Sequence, residues 1–471
     1  MKKVLAMLLT LCMLVGMTGA IASAEEVVTL KWVTVGSGMP SNYDAWLAKI
    51  NPYLAEKIGV NIEMEVISWG DWDNRRNVIV NTNEPYDIIF GNMGTYNSDV
   101  QLGAYAEITE DMLKECAPGL LELIPADYWD ACRVNGLIYA VPTYKDSSMT
   151  NYFVWDKELL DANSLDASEA HTLDAIEPIL TALKDKTPNA VYPQNSNGAS
   201  YLLSFYDQMS AGLPAIGVRI DDADTKVVAI LEQEDVMASL TTLHKWYVDG
   251  LINADAATHA ESNKYNVCSV AQGWPSAAIT TWGPNMGVEA VAYQFGETIV
   301  SNETVQGSLN SISINCEHPQ KALAFLNLLN TDSYVRDSFY YGVEGENWEY
   351  TADGKVHKNN SDWTMAGYTQ GTFFTVTPTD DVDFNQWDEV KALNEQARAS
   401  VLLGFFFDTT GVQDELASCI EIFNRYKGEI MTGTTDPAVS VPQMMQEMRA
   451  AGFDTIVAEA QAQIDAWKAA K

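Results

Sequence analysis

Histidine is the usual first candidate for metal or proton chemistry, but His171, His244, His259, His318 and His357 stand far apart in this 471-residue sequence. None forms the His-Glu-x-x-His pair that places two ring nitrogens on one helix face. Neither a Gly-x-Ser-x-Gly nucleophile turn nor a Gly-Lys-Ser/Thr phosphate loop is present. Gly36-Ser37-Gly38 follows a β-branched run but lacks the third glycine of a dinucleotide fingerprint. It reads as a tight turn, or as backbone amides facing a ligand oxygen. Around Asp380-Asp381-Val382-Asp383, counting from Asp381, position 6 is Gln386 where glycine is needed and position 12 is Ala392 where glutamate is needed. A calcium loop of the EF-hand type is therefore excluded, leaving a solvated acidic loop with adventitious calcium binding open. Paired carboxylates are the remaining catalytic option, and among 64 acids such pairs arise by chance. The residues thus predict no catalytic, metal or cofactor site.

Aromatic side chains carry the positive signal. Thirteen tryptophans are many for so rare a residue, and Trp69, Trp72, Trp274, Trp282, Trp348, Trp363 and Trp387 fall at loops or strand ends. A sugar ring has an apolar C–H face and a hydroxyl rim, so a flat indole covers the one while Asp, Asn and Glu bind the other. Burying such a ring contributes on the order of 1–3 kcal/mol. Trp32, Trp46, Trp246 and Trp467 sit in regular elements and are expected in the core. Trp69 and Trp282, each after an expected strand, are predicted ligand contacts, with Trp348 balanced between contact and core. Polar partners are expected from the same loops: Asn92 and Tyr96 after the third strand, Asp71 after the second (where it could instead cap a helix), Tyr144 and Asp146 further on, and Asn285 beside Trp282. Met39, Tyr341 and Glu344 complete the candidate set.

These positions depend on the elements that carry them. Val-rich segments over 27–35, 61–67 and 86–90 read as strands, and helices are expected over 42–57, ended by Gly59, and over 71–82. That β-α-β-α-β order predicts a parallel sheet with right-handed crossovers, whose ligands sit beyond the carboxyl ends of the strands. The loops leaving those ends are 36–39, 68–71 and 91–96. Further strands are expected over 135–142 and 277–281, and helices over 173–184, 236–247 and 318–330. The tail reads as helices over 413–428, from Ser440 to Gly452, and from Asp454 onward.

Composition narrows the partners. With 28 Lys+Arg against 64 Asp+Glu, the formal charge is −36 at pH 7. Such a field repels phosphate backbones and anionic lipid, so no nucleic-acid partner is expected. Hydrophobic residues at 47% suit sizeable cores and more than one domain. Residues 1–24 combine Lys2-Lys3, an apolar run over 4–15 too short to span a bilayer, and Ala22-Ser23-Ala24, the pattern of a cleaved signal peptide. The protein is therefore expected to be exported: extracellular, cell-surface or periplasmic. Cys12 has Leu11 before it where a lipoprotein cysteine wants a small residue. The other five cysteines, with no Cys-x-x-Cys, read as buried thiols with room for one bridge.

Strand segments 27–35, 61–67 and 86–90, Asn135-Gly136-Leu137-Ile138-Tyr139-Ala140-Val141-Pro142 and the helix at 318–330 together resemble the family 1 extracellular solute-binding proteins of ABC sugar importers. Tyr341-Gly342-Val343-Glu344-Gly345-Glu346-Asn347-Trp348, Gly404-Phe405-Phe406-Phe407-Asp408 and 459–467 are similar to the LplA-like branch of that family. The resemblance implies an α/β, two-lobe periplasmic-binding-protein-like fold (type II) with hinge-connected lobes and an extended helical C-terminal region. It places lobe 1 at 25–142 and 297–335 and lobe 2 at 143–296 and 336–471. Crossings are expected near Pro142-Thr143, Phe295-Gly296 and Tyr334. It also implies a monomer that closes on a carbohydrate, an oligosaccharide by preference, and delivers it to ABC permease subunits. Two alternatives stand beside this: a binding protein for a peptide or other solute, and an extracellular carbohydrate-active enzyme with an Asp/Glu pair.

Overall fold

A computed structural model describes residues 27–209, 212–261 and 263–470. The expected signal peptide at 1–24, with Cys12, lies outside the described residues. Strand β1 (Val28–Gly36) enters a helix α1 (Tyr43–Ile58) that buries Trp46, Ile50 and Leu54 at helical spacing. Gly59 ends α1 at φ +65°, a left-handed conformation that glycine adopts without steric cost, and its N–H returns to the Ala55 oxygen. Strand β2 (Val60–Ser68), helix α2 (Trp72–Thr82) and strand β3 (Ile88–Gly91) complete the expected alternation. Strand β1 pairs parallel with β2 along its whole length, from Val28–Val60 to Gly36–Ser68, and with β3 on its other side.

Two sheets form. The first has the order β2-β1-β3-β8-β4, where β4 is Ala140–Pro142 and β8 is Leu309–Ile312. Its core joins Trp32, Ile88 and Phe90 to Phe325 and Leu329 of helix α5 (Pro319–Thr331) and Phe339 of helix α6 (Ser333–Tyr341). The second has the order β6-β5-β7-β9, from β5 (Met149–Asp156), β6 (Cys268–Gln272), β7 (Ala290–Val300) and β9 (Arg398–Ala399). Phe153 and Trp155 of β5 pack there against helices α3 (Leu173–Leu183) and α4 (Glu234–Val248). The tail helices α7 (Gln413–Met431), α8 (Pro437–Ala450) and α9 (Phe453–Ala470) add Met444, Met445, Ile456 and Ile464 to the same core. A third, small cluster gathers Tyr341, Trp348, Val356, Phe373, Val376, Trp387 and Val390.

Several expectations are corrected. Residues 277–281, β-branched enough to read as a strand, form a wide helical turn, Ala278–Trp282, continued by a short helix Gly283–Met286. Local bonds decide it: the Ser276 carbonyl accepts from the amides of Ile279 and Thr280. Helix α8 begins at Pro437, not after Ser440, because the Asp436 carboxylate accepts the Ala438 amide and proline suits the first turn. The chain passes between the two large sheets three times: over 143–148, over 301–308, and between β8 and β9 within 313–397. Gly296, expected at a crossing, lies inside β7, and Tyr334 lies in α6 on the first core. Residues Phe339, Val343 and Met365 also pack into the first core, although 336–471 was assigned to the second lobe. The five cysteines among the described residues are free thiols, so no bridge forms between them. Among the described residues no helix is long and apolar enough to cross a membrane.

Candidate functional site

The carboxyl ends of β1, β2 and β3 release three loops onto one edge of the first sheet. Trp69, directly after β2, is 47% exposed. Its ring lies almost parallel to that of Tyr368, with centroids 6.0 Å apart and planes 8° apart. The Lys145 ammonium stands 5.7 Å from the Tyr368 ring centre and pairs with Asp146 at 2.7 Å. Burial, helped by the Asp146 charge, pushes the Tyr368 phenol up to about 12, so it stays a hydrogen-bond donor at neutral pH. Beside this stack Met39 is exposed, with its sulfur 3.2 Å from the Val66 amide. Asp71 leaves the amides of α2 uncapped and accepts the Ser68 hydroxyl at 2.6 Å. The Asn92 side-chain oxygen accepts the Gly94 amide, a turn that has Met93 at its centre.

Tyr368 had no signal in the sequence; what places it is buried and distant. Arg336, fully buried, donates to the carbonyls of Thr372 (2.6 Å), Gly367 (2.7 Å) and Gly371 (2.9 Å). Burial draws its guanidinium down to about 10. Asn310 donates to the Thr369 and Gln370 carbonyls, Ser308 to that of Tyr368, and Asn330 accepts the Thr372 amide. Each carbonyl of this loop that would otherwise face the core finds a donor. The loop is thereby held from beneath while Tyr368 faces outward.

The second sheet supplies a groove. One part, about 490 Å³, is lined by Met93 from the first sheet's loop and by Asn151, Tyr201, Gln272, Glu303 and Lys427, among others. A second part, about 350 Å³, holds Trp282 and Asn285, and shares Gly198, Tyr201 and Val270 with the first, so the two adjoin. Trp282 tilts against Tyr152 at 5.8 Å. Gly273 makes its position possible, since a Cβ there would lie 2.8 Å from the indole. Burial pushes the Glu303 carboxyl up to about 6, with a further contribution from Asp207.

The predicted residues therefore separate into two groups. Trp69, Met39, Asp71, Asn92 and Asp146 gather on the edge of the first sheet, and Trp282 and Asn285 line the groove. Tyr96, Tyr144, Tyr341 and Trp348 are instead packing residues. Tyr96 is buried and donates to the Cys132 carbonyl at 2.6 Å. Tyr144 is wedged against Tyr128 and Phe374. The Tyr341 hydroxyl goes to the Thr377 carbonyl and the Trp348 indole to the Gly342 carbonyl. Glu344 lies against α1, where Lys49 donates to its backbone oxygen. Tyr368, Met93, Tyr201, Glu303 and Lys427 were missed. Among the described residues no cluster of metal-ligating side chains occurs.

A profile of bacterial extracellular solute-binding proteins matches residues 36–336, and a domain of unknown function (DUF3502) matches 401–469. A carbohydrate ABC transporter substrate-binding protein of Streptococcus pneumoniae serotype 4 is 30% identical, the match covering 96% of this chain and 93% of that protein. The crystal structure of the N-glycan transport solute binding protein NgtS from Streptococcus pneumoniae superposes with a TM-score of 0.84 at 27% identity, covering 93% of this chain and 98% of that one. Its complex with Man1GlcNAc gives 0.77 at 27% identity, covering 93% and 99%.

Proposed function

This chain belongs to the bacterial extracellular solute-binding protein family, and from that premise we propose that it captures an oligosaccharide between its two sheets and passes it to ABC permease subunits. One observation carries the reading: an exposed Trp69–Tyr368 stack on one body, and on the other a groove that bears Trp282 in one part and takes Met93 of the first body's loop into the wall of the adjoining part. Each aromatic face covers the C–H side of a sugar ring. Asp146 and Asp71, Asn92, Asn285 and Glu303 take up hydroxyls at its rim. Glycan complexes of the solved relative support a carbohydrate over a peptide.

The mechanism is capture without covalent chemistry. A ligand that touches both bodies stabilises the closed arrangement and draws an open–closed equilibrium toward it. The closed form then presents a joint surface of both bodies to the permease. The protein works as an exported monomer.

A panel of plant, mucin and yeast-derived oligosaccharides, read by thermal shift, tests this. One glycan class should raise the melting temperature, because it binds only the folded state. That glycan should be recovered unchanged by chromatography after incubation. Trp69→Ala and Trp282→Ala should each weaken binding about tenfold, the loss of one ring's burial. Turnover of the glycan, or full affinity in both variants, refutes the proposal.

A further inference from the structure

The part of the groove beside Trp282 differs from the rest of the molecule in its chemistry. The chain has 64 acidic residues, yet none of them lines this pocket. Five carboxamides do: Gln194, Asn195, Asn263, Asn266 and Asn285. Lys264, exposed at the surface, is its single charged residue. Beside the indole the lining is apolar: Val154, Ala271 and Met286 belong to the small cluster in which Trp282 packs. The side chains of Asn266 and Asn285 make no hydrogen bond to another described residue, and the Gln194 amide nitrogen reaches only the neighbouring Pro193 carbonyl at 3.2 Å.

A carboxamide offers an N–H donor and a carbonyl acceptor side by side. Its natural complement is another amide, which presents the same two groups in reverse order. A carboxylate could only accept and an ammonium only donate, so neither completes that pair. An acetamido substituent adds a methyl, for which the apolar surface of Val154, Ala271 and Met286 is the match, while the sugar ring it is attached to can lie on Trp282.

We propose that this pocket is a subsite for a sugar unit carrying an acetamido group. The proposal rests on the capture reading above and sharpens it: the groove selects oligosaccharides that contain such a unit and seats that unit at the Trp282 end, away from Glu303. A hexose carrying a plain hydroxyl at the same carbon would leave carboxamides unmatched and the apolar wall wet. Polar groups that a ligand covers and leaves unmatched are a strong source of discrimination between close analogues.

Chitotetraose and cellotetraose share the same linkage and ring and differ only in the acetamido group, which makes them the test pair. Titration of the full-length mature chain, followed by tryptophan fluorescence and by calorimetry, should give at least about tenfold tighter binding of chitotetraose. Asn266→Ala with Asn285→Ala should bring the ratio to within about twofold. Circular dichroism and thermal melting establish that this variant is folded, and Asn285→Ala alone gives a second reading of the ratio. Equal or tighter binding of cellotetraose overturns the proposal and leaves carbohydrate capture standing. So does a ratio that the variants do not change, or the failure of both tetramers while another panel glycan binds. Tighter binding of the C6-oxidised, carboxylate-bearing form of cellotetraose would give the pocket to Lys264 and also overturn it. If no glycan of any class binds, the capture reading falls with it.

Discussion

Glu303 is the groove residue whose charge lies nearest to changing under ordinary conditions. Burial first, and the charge of buried Asp207 second, hold its carboxyl at about 6, and Lys427 lines the same cavity. At pH 7 it is ionised and able to accept hydrogen bonds from the hydroxyls of a sugar in the proposed groove. Below about 6 it takes up a proton and loses that role, so affinity should fall roughly tenfold between pH 7 and pH 5, the worth of a hydrogen bond to a charged group. Glu303→Gln should bind weakly and show no such inflection. The sign for the free protein is opposite. A carboxyl raised from 4.5 favours folding below its unfolded value and loses that contribution as the pH rises through about 6. The melting temperature of the unliganded protein, taken as the difference from Glu303→Gln, should therefore decline over that window; an increase would contradict the burial argument. At this scale the sequence was partly readable. Trp69 and Trp282 stand out because an indole after an element end is rare. Tyr96 and Trp348 looked the same in one dimension, but their hydroxyl and indole groups turn inward to the carbonyls of Cys132 and Gly342.

Elements legible from local periodicity came out within two or three residues, as β1, α1, β2, α2 and β3 show. Elements fixed by distant contacts did not. The β-branched Ile279-Thr280-Thr281 run argues for a strand by propensity, and the backbone bonds around Ser276 overrule it. The loop bearing Tyr368 has no period at all; its shape comes from Arg336, more than thirty positions earlier in the chain. That dependence is testable. Arg336→Met leaves the Thr372 and Gly371 carbonyls without donors and Gly367 with only the Gln370 amide, at a cost of about 1–3 kcal/mol for each orphaned buried group, so urea unfolding should show a loss of about 2 kcal/mol or more. Affinity should fall with it, because Tyr368 loses its fixed position under Trp69. Tyr368→Ala, at a residue 37% exposed, should cut affinity while stability changes by less than about 1 kcal/mol. Similar stability losses in both variants would mean that the ring, not the clamp, holds the loop.

The whole molecule has separate cores beneath its two sheets, and this is what permits one body to move against the other. The crossing segments are tied together rather than free: the Thr143 amide donates to the Ser308 carbonyl at 3.0 Å, and their hydroxyls lie 3.0 Å apart. Such a joint concentrates rotation at a few residues while the sheets stay rigid. The small third cluster reaches across as well, since Trp274, just past β6, packs on Trp387 and the Glu389 carboxylate accepts the Ser276 amide at 2.8 Å. Closure should therefore be a rotation about the 143–148 and 301–308 crossings, with the third passage, between β8 and β9, following it. A ligand at about one hundred times its dissociation constant adds about 2.7 kcal/mol to the folded state. At roughly 2–4 °C per kcal/mol for bodies of this size, the melting temperature should rise by about 5–10 °C. Small-angle scattering on the same sample should show a smaller radius of gyration, because ligand contacts on both bodies draw them together. Trp69→Ala, which removes a contact on the first body alone, should reduce the change in radius even at saturating ligand. A rise in melting temperature with unchanged scattering would mean that the glycan sits wholly in the groove of the second sheet. The Trp69–Tyr368 stack would then have no part in holding it, and closure would need another cause.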